Sequence, residues 1–185
     1  MGGGTPTTLS HTQLDTVLST VNRCFDMSTC REFTVEAGRP DTITKEKLLA
    51  IKNNLVTRIS INPQTLNDDV LKIIGRKHSA QDAINAYKLA RECGLDNINM
   101  DLIAGLTGDD YNSFVSTLDK IMELSPESIT IHTLSLKRSS NINQENIAID
   151  ISLKNETTAM LDYAQKKLLD AEYIPYYLYR QSRMA

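Results

Sequence analysis

Residues 58–64 read Arg-Ile-Ser-Ile-Asn-Pro-Gln. Ile59 and Ile61 alternate with Arg58, Ser60 and Asn62, the period-two pattern of a strand with unlike faces. Three other segments repeat the pattern. Phe33 and Val35 alternate with Glu32, Thr34 and Glu36; Ile98, Met100 and Leu102 with Asn99 and Asp101; Ile129 and Ile131 with Thr130 and His132. A parallel sheet covered on both faces would read apolar on both. Here one face carries Glu, Arg, Asn, Asp and His, which are costly to bury unpaired. Either that face meets water across a half-open sheet, or it lines a cavity that binds something polar.

Working outward, helical patterns separate the strands. Leu14, Val17, Leu18, Val21 and Phe25 mark a helix over 9–25, before a strand at 31–36. A helix over 44–54 starts at a Thr44 N-cap. After the strand at 56–61, a helix over 67–74 stops at Gly75, and Ser79 with Asp82 forms a capping box for a helix reaching Cys93. A strand at 97–103, a helix at 111–124 and a strand at 128–134 follow. Residues 137–152 read as a long polar loop, 154–171 as a helix and 173–179 as the last strand. Strict alternation of this kind implies a parallel sheet with crossover helices, doubly wound or curled into a barrel. No internal boundary is visible, so 1–185 reads as one domain.

The bulk composition narrows the classes. The chain has 185 residues, 41% hydrophobic and 23% charged, enough for one substantial core. A net charge of −3 argues against a nucleic-acid surface. No apolar run approaches a membrane span, and no signal-peptide pattern is present. Three cysteines fit a reducing compartment, so a cytoplasmic location is expected.

Residues 2–7, Gly-Gly-Gly-Thr-Pro-Thr, read as a ligand loop or as a Gly-rich flexible tag, the second being less compatible with Thr-Pro-Thr directly before a helix. Glycines allow close backbone approach and expose N–H groups to a ligand. Such a run usually follows a strand, so the sequence reads as entering a fold partway. The glycine run, Glu36, Gln64, Asp101 and the 134–135 segment lie where the strands end, with Arg76 on a short helix nearby. Singly, Glu36 or Asp101 could be a salt-bridge partner and Arg76 a solvated helix end. Together they suggest an extended ligand bearing an amine, hydroxyls and a carboxylate.

The ordered set of segments resembles the radical S-adenosylmethionine superfamily, and most of all its oxygen-independent coproporphyrinogen III oxidase/dehydrogenase group. The segments are Gly-Gly-Gly-Thr-Pro-Thr at 2–7, Glu-Phe-Thr-Val-Glu-Ala-Gly-Arg-Pro-Asp at 32–41, residues 58–64, Ile-Gly-Arg-Lys-His at 74–78, Asn-Ile-Asn-Met-Asp-Leu-Ile-Ala-Gly-Leu at 97–106, Ile-His-Thr-Leu-Ser-Leu-Lys-Arg at 131–138, and Tyr-Ile-Pro-Tyr-Tyr-Leu-Tyr-Arg-Gln at 173–181. The resemblance implies an α/β fold, a partial (β/α) TIM-like barrel of parallel strands with outer helices, its first strand and cluster loop missing. It implies that Gly3, Gly4 and Thr5 meet the methionyl part of S-adenosylmethionine and that Glu36 is an acidic contact. Gln64, Arg76 and Asp101 are then polar contacts, and Leu134 a backbone contact near adenine. In that family a [4Fe–4S] cluster drives cleavage of S-adenosylmethionine. The 5′-deoxyadenosyl radical then abstracts hydrogen from coproporphyrinogen III, and propionates become vinyl groups by oxidative decarboxylation.

The sequence departs from the family in two places. Thr107 stands where the family usually has proline. The cluster motif CX₃CX₂C is absent, and Cys24, Cys30 and Cys93 have the wrong spacing, so they read as buried or incidental thiols. No metal ligands are therefore expected in the chain. Arg58, Asn62 and His132, on the polar face, are candidates to meet substrate propionates. Three readings follow: an inactive central part of a coproporphyrinogen dehydrogenase, a haem chaperone or tetrapyrrole-binding relative without decarboxylase activity, or a barrel piece that retains no ligand. An unpaired sheet edge would favour self-association.

Overall fold

The computed structural model describes residues 1–133, 144–177 and 180–183. The parallel part of the sheet is built from β1 (Thr34–Ala37), β2 (Arg58–Gln64), β3 (Ile98–Ala104) and β4 (Ser128–Thr133). Each pairs in parallel with the next, with Val35 opposite Ile59, Ile61 opposite Met100, and Asp101 opposite Thr130. Between and after them run α1 (His11–Cys24), α2 (Lys45–Asn53), α3 (Asp68–Ile73), α4 (Ala80–Glu92), α5 (Tyr111–Leu124) and α6 (Gln144–Asp170). β5 (Tyr173–Tyr177) and β6 (Arg180–Arg183) close the described chain, and the sheet order is β1-β2-β3-β4-β6-β5.

Local chemistry explains where the helices start and stop. Ser79 and Asp82 form the expected capping box, and Thr44 caps α2. Ser10 and Gln13 form a second capping box at α1. α3 ends in a Schellman motif: Gly75, at φ +72°, donates to the Lys72 carbonyl, and Arg76 donates to that of Leu71. That closure fixes the backbone that carries Arg76.

The apolar strand residues and the inner faces of the helices make one core. Val35, Ile59, Ile61, Ile98, Met100, Leu102, Ile129 and Ile131 meet Leu14 and Leu18 of α1, Leu48 and Ile51 of α2, Tyr87 of α4, Phe114 and Leu118 of α5, and Met160 of α6. Side chains of this size each contribute about 1.5–3 kcal/mol when fully buried. The polar face is buried too: Arg58, Ser60, Asn62, Gln64, Asn99, Ser128 and Thr130 are all under a tenth exposed. That decides between the two expectations for this face. It is a concave interior and not a solvated side. Arg58 on β2 reaches Ser128 on β4 at 3.0 Å, across the intervening β3, as a curled sheet permits.

Two expectations are corrected. The polar stretch 137–152 was expected to be a loop, yet α6 already begins at Gln144; residues 137–143 lie outside the described residues. Its polarity misled because an isoleucine-containing segment of weak periodicity can still extend a helix whose later turns, with Met160, Ala164 and Leu168, dock on the core. Strict β/α alternation also fails at the C-terminus. β5 and β6 pair antiparallel with one another, and β6 pairs antiparallel with β4. Tyr173 anchors this return: its ring is fully buried and its hydroxyl donates to the Pro126 carbonyl at 2.6 Å. Of the strand expected at 173–179, residues 178–179 lie outside the described residues.

At the opposite edge, Met1 sits against β1. Its ammonium donates to the Thr34 carbonyl and its carbonyl accepts from the Glu36 N–H, the two bonds of a parallel bridge. Gly2–Gly4 therefore leave the sheet at the C-terminal end of the strands. Among the described residues, no helix is long and apolar enough to cross a membrane.

Candidate functional site

The polar side chains of the concave face form a hydrogen-bonded layer with Asn99 at its centre. The Asn99 amide nitrogen donates to Ser60 Oγ at 2.8 Å and to Asp101, while its oxygen accepts from Ser128 Oγ and Thr130 Oγ1, each at 2.9 Å. Ser60 donates to Asn62, and Asn62 donates to Glu36 Oε1 at 3.3 Å. Arg58 closes the N-terminal end of the layer by pairing with Glu32 at 3.3 Å. Parity produces this arrangement: every second strand residue points inward, and four neighbouring strands contribute to one surface.

Above the layer lies a cavity of about 350 Å³ lined by Met1, Gly2, Thr34, Glu36, Arg58, Ser60, Asp101, Thr130 and His132. Glu36 is half-buried, held on one side by Asn62 and approached on the other by the Gly2 backbone. A Cβ at residue 2 would sit 2.6 Å from Glu36 Oε2, and one at Gly38 would sit 3.2 Å from Glu36 Oε1. Only glycine fits at residue 2 without moving the carboxylate. Asp101 and His132 face one another across the cavity, with His132 Nε2 3.9 Å from Asp101 Oδ2.

The expected site residues fall into groups. Glu36, Asp101, Arg58 and His132 line the cavity together. Asn62 joins them through Glu36. Gln64, Arg76, Gly3, Gly4 and Thr5 lie outside this lining. A Cβ at Gly3 (φ +91°) or Gly4 would meet no atom within 4 Å, so these two glycines border open space. Thr5 precedes the 3₁₀ turn Pro6–Thr8, and its carbonyl accepts from Thr8. Gln64 is buried at the end of β2 with φ +69°, and its Oε1 has no partner among the described residues. A left-handed non-glycine residue costs roughly 1–2 kcal/mol, so the fold holds Gln64 there against its preference. Arg76 is half-buried, and burial, reinforced by Arg39, pulls its guanidinium below the ordinary value while Asp41 acts the other way. Leu134 lies outside the described residues.

Three residues not singled out from the sequence matter here. Gly2 belongs to the glycine run, but the run gives no sign of which glycine touches the acid. His78 is buried beside the Pro63 carbonyl. Asp109, in the loop after β3 on the same end of the sheet, is the third. Its residue is 9% exposed, and neither oxygen is in hydrogen-bonding geometry with a donor among the described residues. Burial pushes its carboxyl above the usual range, with Asp110 and Glu156 adding repulsion; Ser113 and the Asp110 backbone lie close enough to offset part of this. The folded state therefore holds a proton that the unfolded chain has already released. As pH rises from the ordinary carboxylate value through the raised one, stability falls. Asp109→Asn is expected to remove that decline and to be more stable than the parent at neutral pH. Urea midpoints between about pH 4 and about pH 8 check this; parallel profiles for the two proteins would contradict it.

Among the described residues, no group of three or more His, Cys, Asp or Glu is placed to hold a metal ion. Of the thiols read as buried or incidental, Cys93 is buried at the end of α4, while Cys24 and Cys30 are exposed. The described residues do not fit an iron–sulfur cluster. They do fit a polar organic cofactor: a carboxylate framed by glycines, a second carboxylate opposite it, and a buried amide oxygen without a partner among them.

The family described as the Radical SAM superfamily matches residues 1–121. The chain is 43% identical over 184 residues to the oxygen-independent coproporphyrinogen-III oxidase-like protein HemZ of Bacillus subtilis, covering 99% of this chain and 37% of that protein. It is 38% identical over 135 residues to the heme chaperone HemW of the same organism, covering 72% of this chain and 35% of the relative. In structure it is similar to coproporphyrinogen III oxidase HemN of Escherichia coli, a radical SAM enzyme, with a TM-score of 0.79 at 22% identity, over 98% of this chain and 42% of that one. The chain thus spans roughly two-fifths or less of the length of these relatives.

Proposed function

Because the chain belongs to the radical S-adenosylmethionine superfamily, we propose that its concave polar face holds S-adenosylmethionine. We further propose that the protein carrying this chain is an oxygen-independent coproporphyrinogen III dehydrogenase. The observation that carries the reading is the Glu36 carboxylate, gripped by Asn62 and pressed by the Gly2 backbone at the mouth of the cavity. Glu36 accepts from the ammonium of the aminoacyl part, where a charge-assisted bond is strongest. Gly3, Gly4 and Thr5, which follow Gly2 outside the cavity lining, offer backbone N–H groups to the methionyl part of the cofactor. Asp101 accepts from hydroxyls, while Gln64 and Arg76, outside the cavity lining, supply the remaining polar contacts.

When bound, S-adenosylmethionine supplies the capacity for hydrogen-atom abstraction from a substrate carbon. The residues of this chain bind and orient it. They hold no cluster ligands, so the [4Fe–4S] group of the family would be held by residues other than these, and no step is derived through it. Of the three propionate candidates, His132 has the best access: it stands half-exposed at the C-terminal end of β4 beside Asp101. Arg58 is committed to Glu32 and Ser128, and Asn62 to Glu36.

Equilibrium dialysis of the 185-residue chain against S-adenosylmethionine tests the cofactor reading. Micromolar affinity is expected, with a loss of roughly tenfold or more in Glu36→Ala and in Asp101→Ala, as for a removed charge-assisted bond. Absence of retained ligand would overturn it. A second reading, a haem chaperone, is favoured by the 38% identity to HemW. Product analysis on the protein carrying this chain separates the two. Conversion of propionates to vinyl groups supports the dehydrogenase; stoichiometric haem transfer without vinyl product supports the chaperone.

A further inference from the structure

The β2–β3 ladder breaks at its mouth end. Ile61 lies opposite Met100, but Gln64 lies opposite Leu102, so β2 spends three steps where β3 takes two. The extra residue takes the Pro63 carbonyl out of the regular ladder, and β1 has already ended its pairing at Ile61. Proline has no N–H to offer, and its carbonyl sits among fully buried neighbours. One side chain reaches it: His78, 3% exposed, with Nε2 3.2 Å from the Pro63 oxygen. A carbonyl only accepts, so Nε2 carries the proton and donates. Nδ1 is then left as a buried acceptor without a partner among the described residues.

His78 stands on a rigid platform. Upstream, the Schellman closure of α3 fixes Gly75 and Arg76. Downstream, Ser79 caps α4 through its box with Asp82, and the Ala80 N–H donates to Asp68 Oδ1 at 2.7 Å. The imidazole therefore ties the segment that carries Arg76 to the bulge that carries Gln64.

We propose that His78 is a positioning residue of the cofactor site: its Nε2–H bond to the Pro63 carbonyl sets the left-handed turn at Gln64 and fixes that residue relative to Arg76. The proposal rests on the S-adenosylmethionine reading above. Neutrality suits the role. Burial pulls His78 below the ordinary histidine range; Arg76 pulls the same way, while the bond to Pro63 and the charges of Asp41 and Asp82 act against it. A neutral ring with a fixed tautomer gives a single donor in a single place.

Two measurements on the 185-residue chain test this. Long-range proton–nitrogen NMR reads the tautomer without any ligand: neutral, Nε2-protonated His78 at neutral pH is expected, and an Nδ1–H or charged ring overturns the assignment. Dialysis against S-adenosylmethionine then compares variants. His78→Leu is expected to weaken binding roughly tenfold, and His78→Gln, which keeps a donor near the Nε2 position, to stay within about threefold of the parent. Adding His78→Leu to Gln64→Ala is expected to lose much less than the product of the two single losses, because both act on one contact. A purely structural role would lower the melting temperature and leave the losses multiplicative, and that result refutes positioning. If the parent chain binds no S-adenosylmethionine, the cofactor reading fails on its own. The His78 assignment then stands or falls on the tautomer and on whether the Gln64 amide resonances shift in His78→Leu but not in His78→Gln.

Discussion

Asn99→Leu is expected to destabilise the fold by about 3–5 kcal/mol, the largest loss from any single substitution on the concave face. Asn99 is 1% exposed and serves four partners: Ser60, Asp101, Ser128 and Thr130. Leucine matches its size but neither donates nor accepts. The Ser128 and Thr130 hydroxyls would lose their acceptor, and each buried group left unsatisfied costs about 1–3 kcal/mol. The damage would spread, because Ser128 also receives the Arg58 guanidinium. In a chain of this size the melting temperature should fall by about 10 °C. Ser60→Ala should do much less, since it removes one hydroxyl and leaves Asn99 its other partners. The exposed Lys72–Asp69 pair, open to water on both sides, should give no measurable shift when broken. Paired thermal and urea melts would decide. A loss under about 1 kcal/mol for Asn99→Leu would mean that water replaces the amide and that the layer is wet.

The reading of the fold from sequence succeeded where parity operates. Ile59 and Ile61 against Arg58, Ser60 and Asn62 placed both the core face and the polar face of β2 correctly, because side-chain alternation is a property of the strand itself. Capping was legible for the same local reason at Thr44 and Ser79. Two longer-range features were not. β6 pairs antiparallel with β4, and nothing in its four residues, Arg-Gln-Ser-Arg, announces which strand they will meet. The start of α6 at Gln144 was hidden because its early turns lack the periodic apolar stripe on which a helix reading depends. At the site, the residue types were legible but their grouping was only partly so. Glu36, Asp101 and His132 meet because neighbouring strands share a register, which alternation foretells. His78 meets Pro63 because a bulge frees one carbonyl; proline inside an interior strand is the mark of such a bulge, but nothing in the sequence says which side chain meets the freed carbonyl.

Gly2→Ala is expected to separate binding from stability more sharply than any other change. Gly2 is exposed and contributes nothing to the core, so melting should be unaltered. Its methyl would nevertheless arrive 2.6 Å from Glu36 Oε2, closer than side chains approach. Gly2 itself has little room to yield, because Met1 is bonded to Thr34 and Glu36. The Glu36 carboxylate is the end of a flexible side chain and moves instead. On its other side stand Asn62 and Gly38, whose own Cβ position lies 3.2 Å from Glu36 Oε1, so the carboxylate must swing away from the seat Asn62 provides. A displaced carboxylate forfeits a charge-assisted bond to the cofactor ammonium, about 1.5–3 kcal/mol, or a loss of roughly 10- to 100-fold in affinity. Glu36→Ala in the Gly2→Ala background should then weaken S-adenosylmethionine binding little further, since the carboxylate is already out of place. Dialysis and melting on the four proteins of this cycle read both quantities. If Gly2→Ala binds as the parent does while Glu36→Ala does not, the glycine is a spectator and Glu36 is seated by Asn62 alone. If both bind as the parent does, the carboxylate does not face the cofactor.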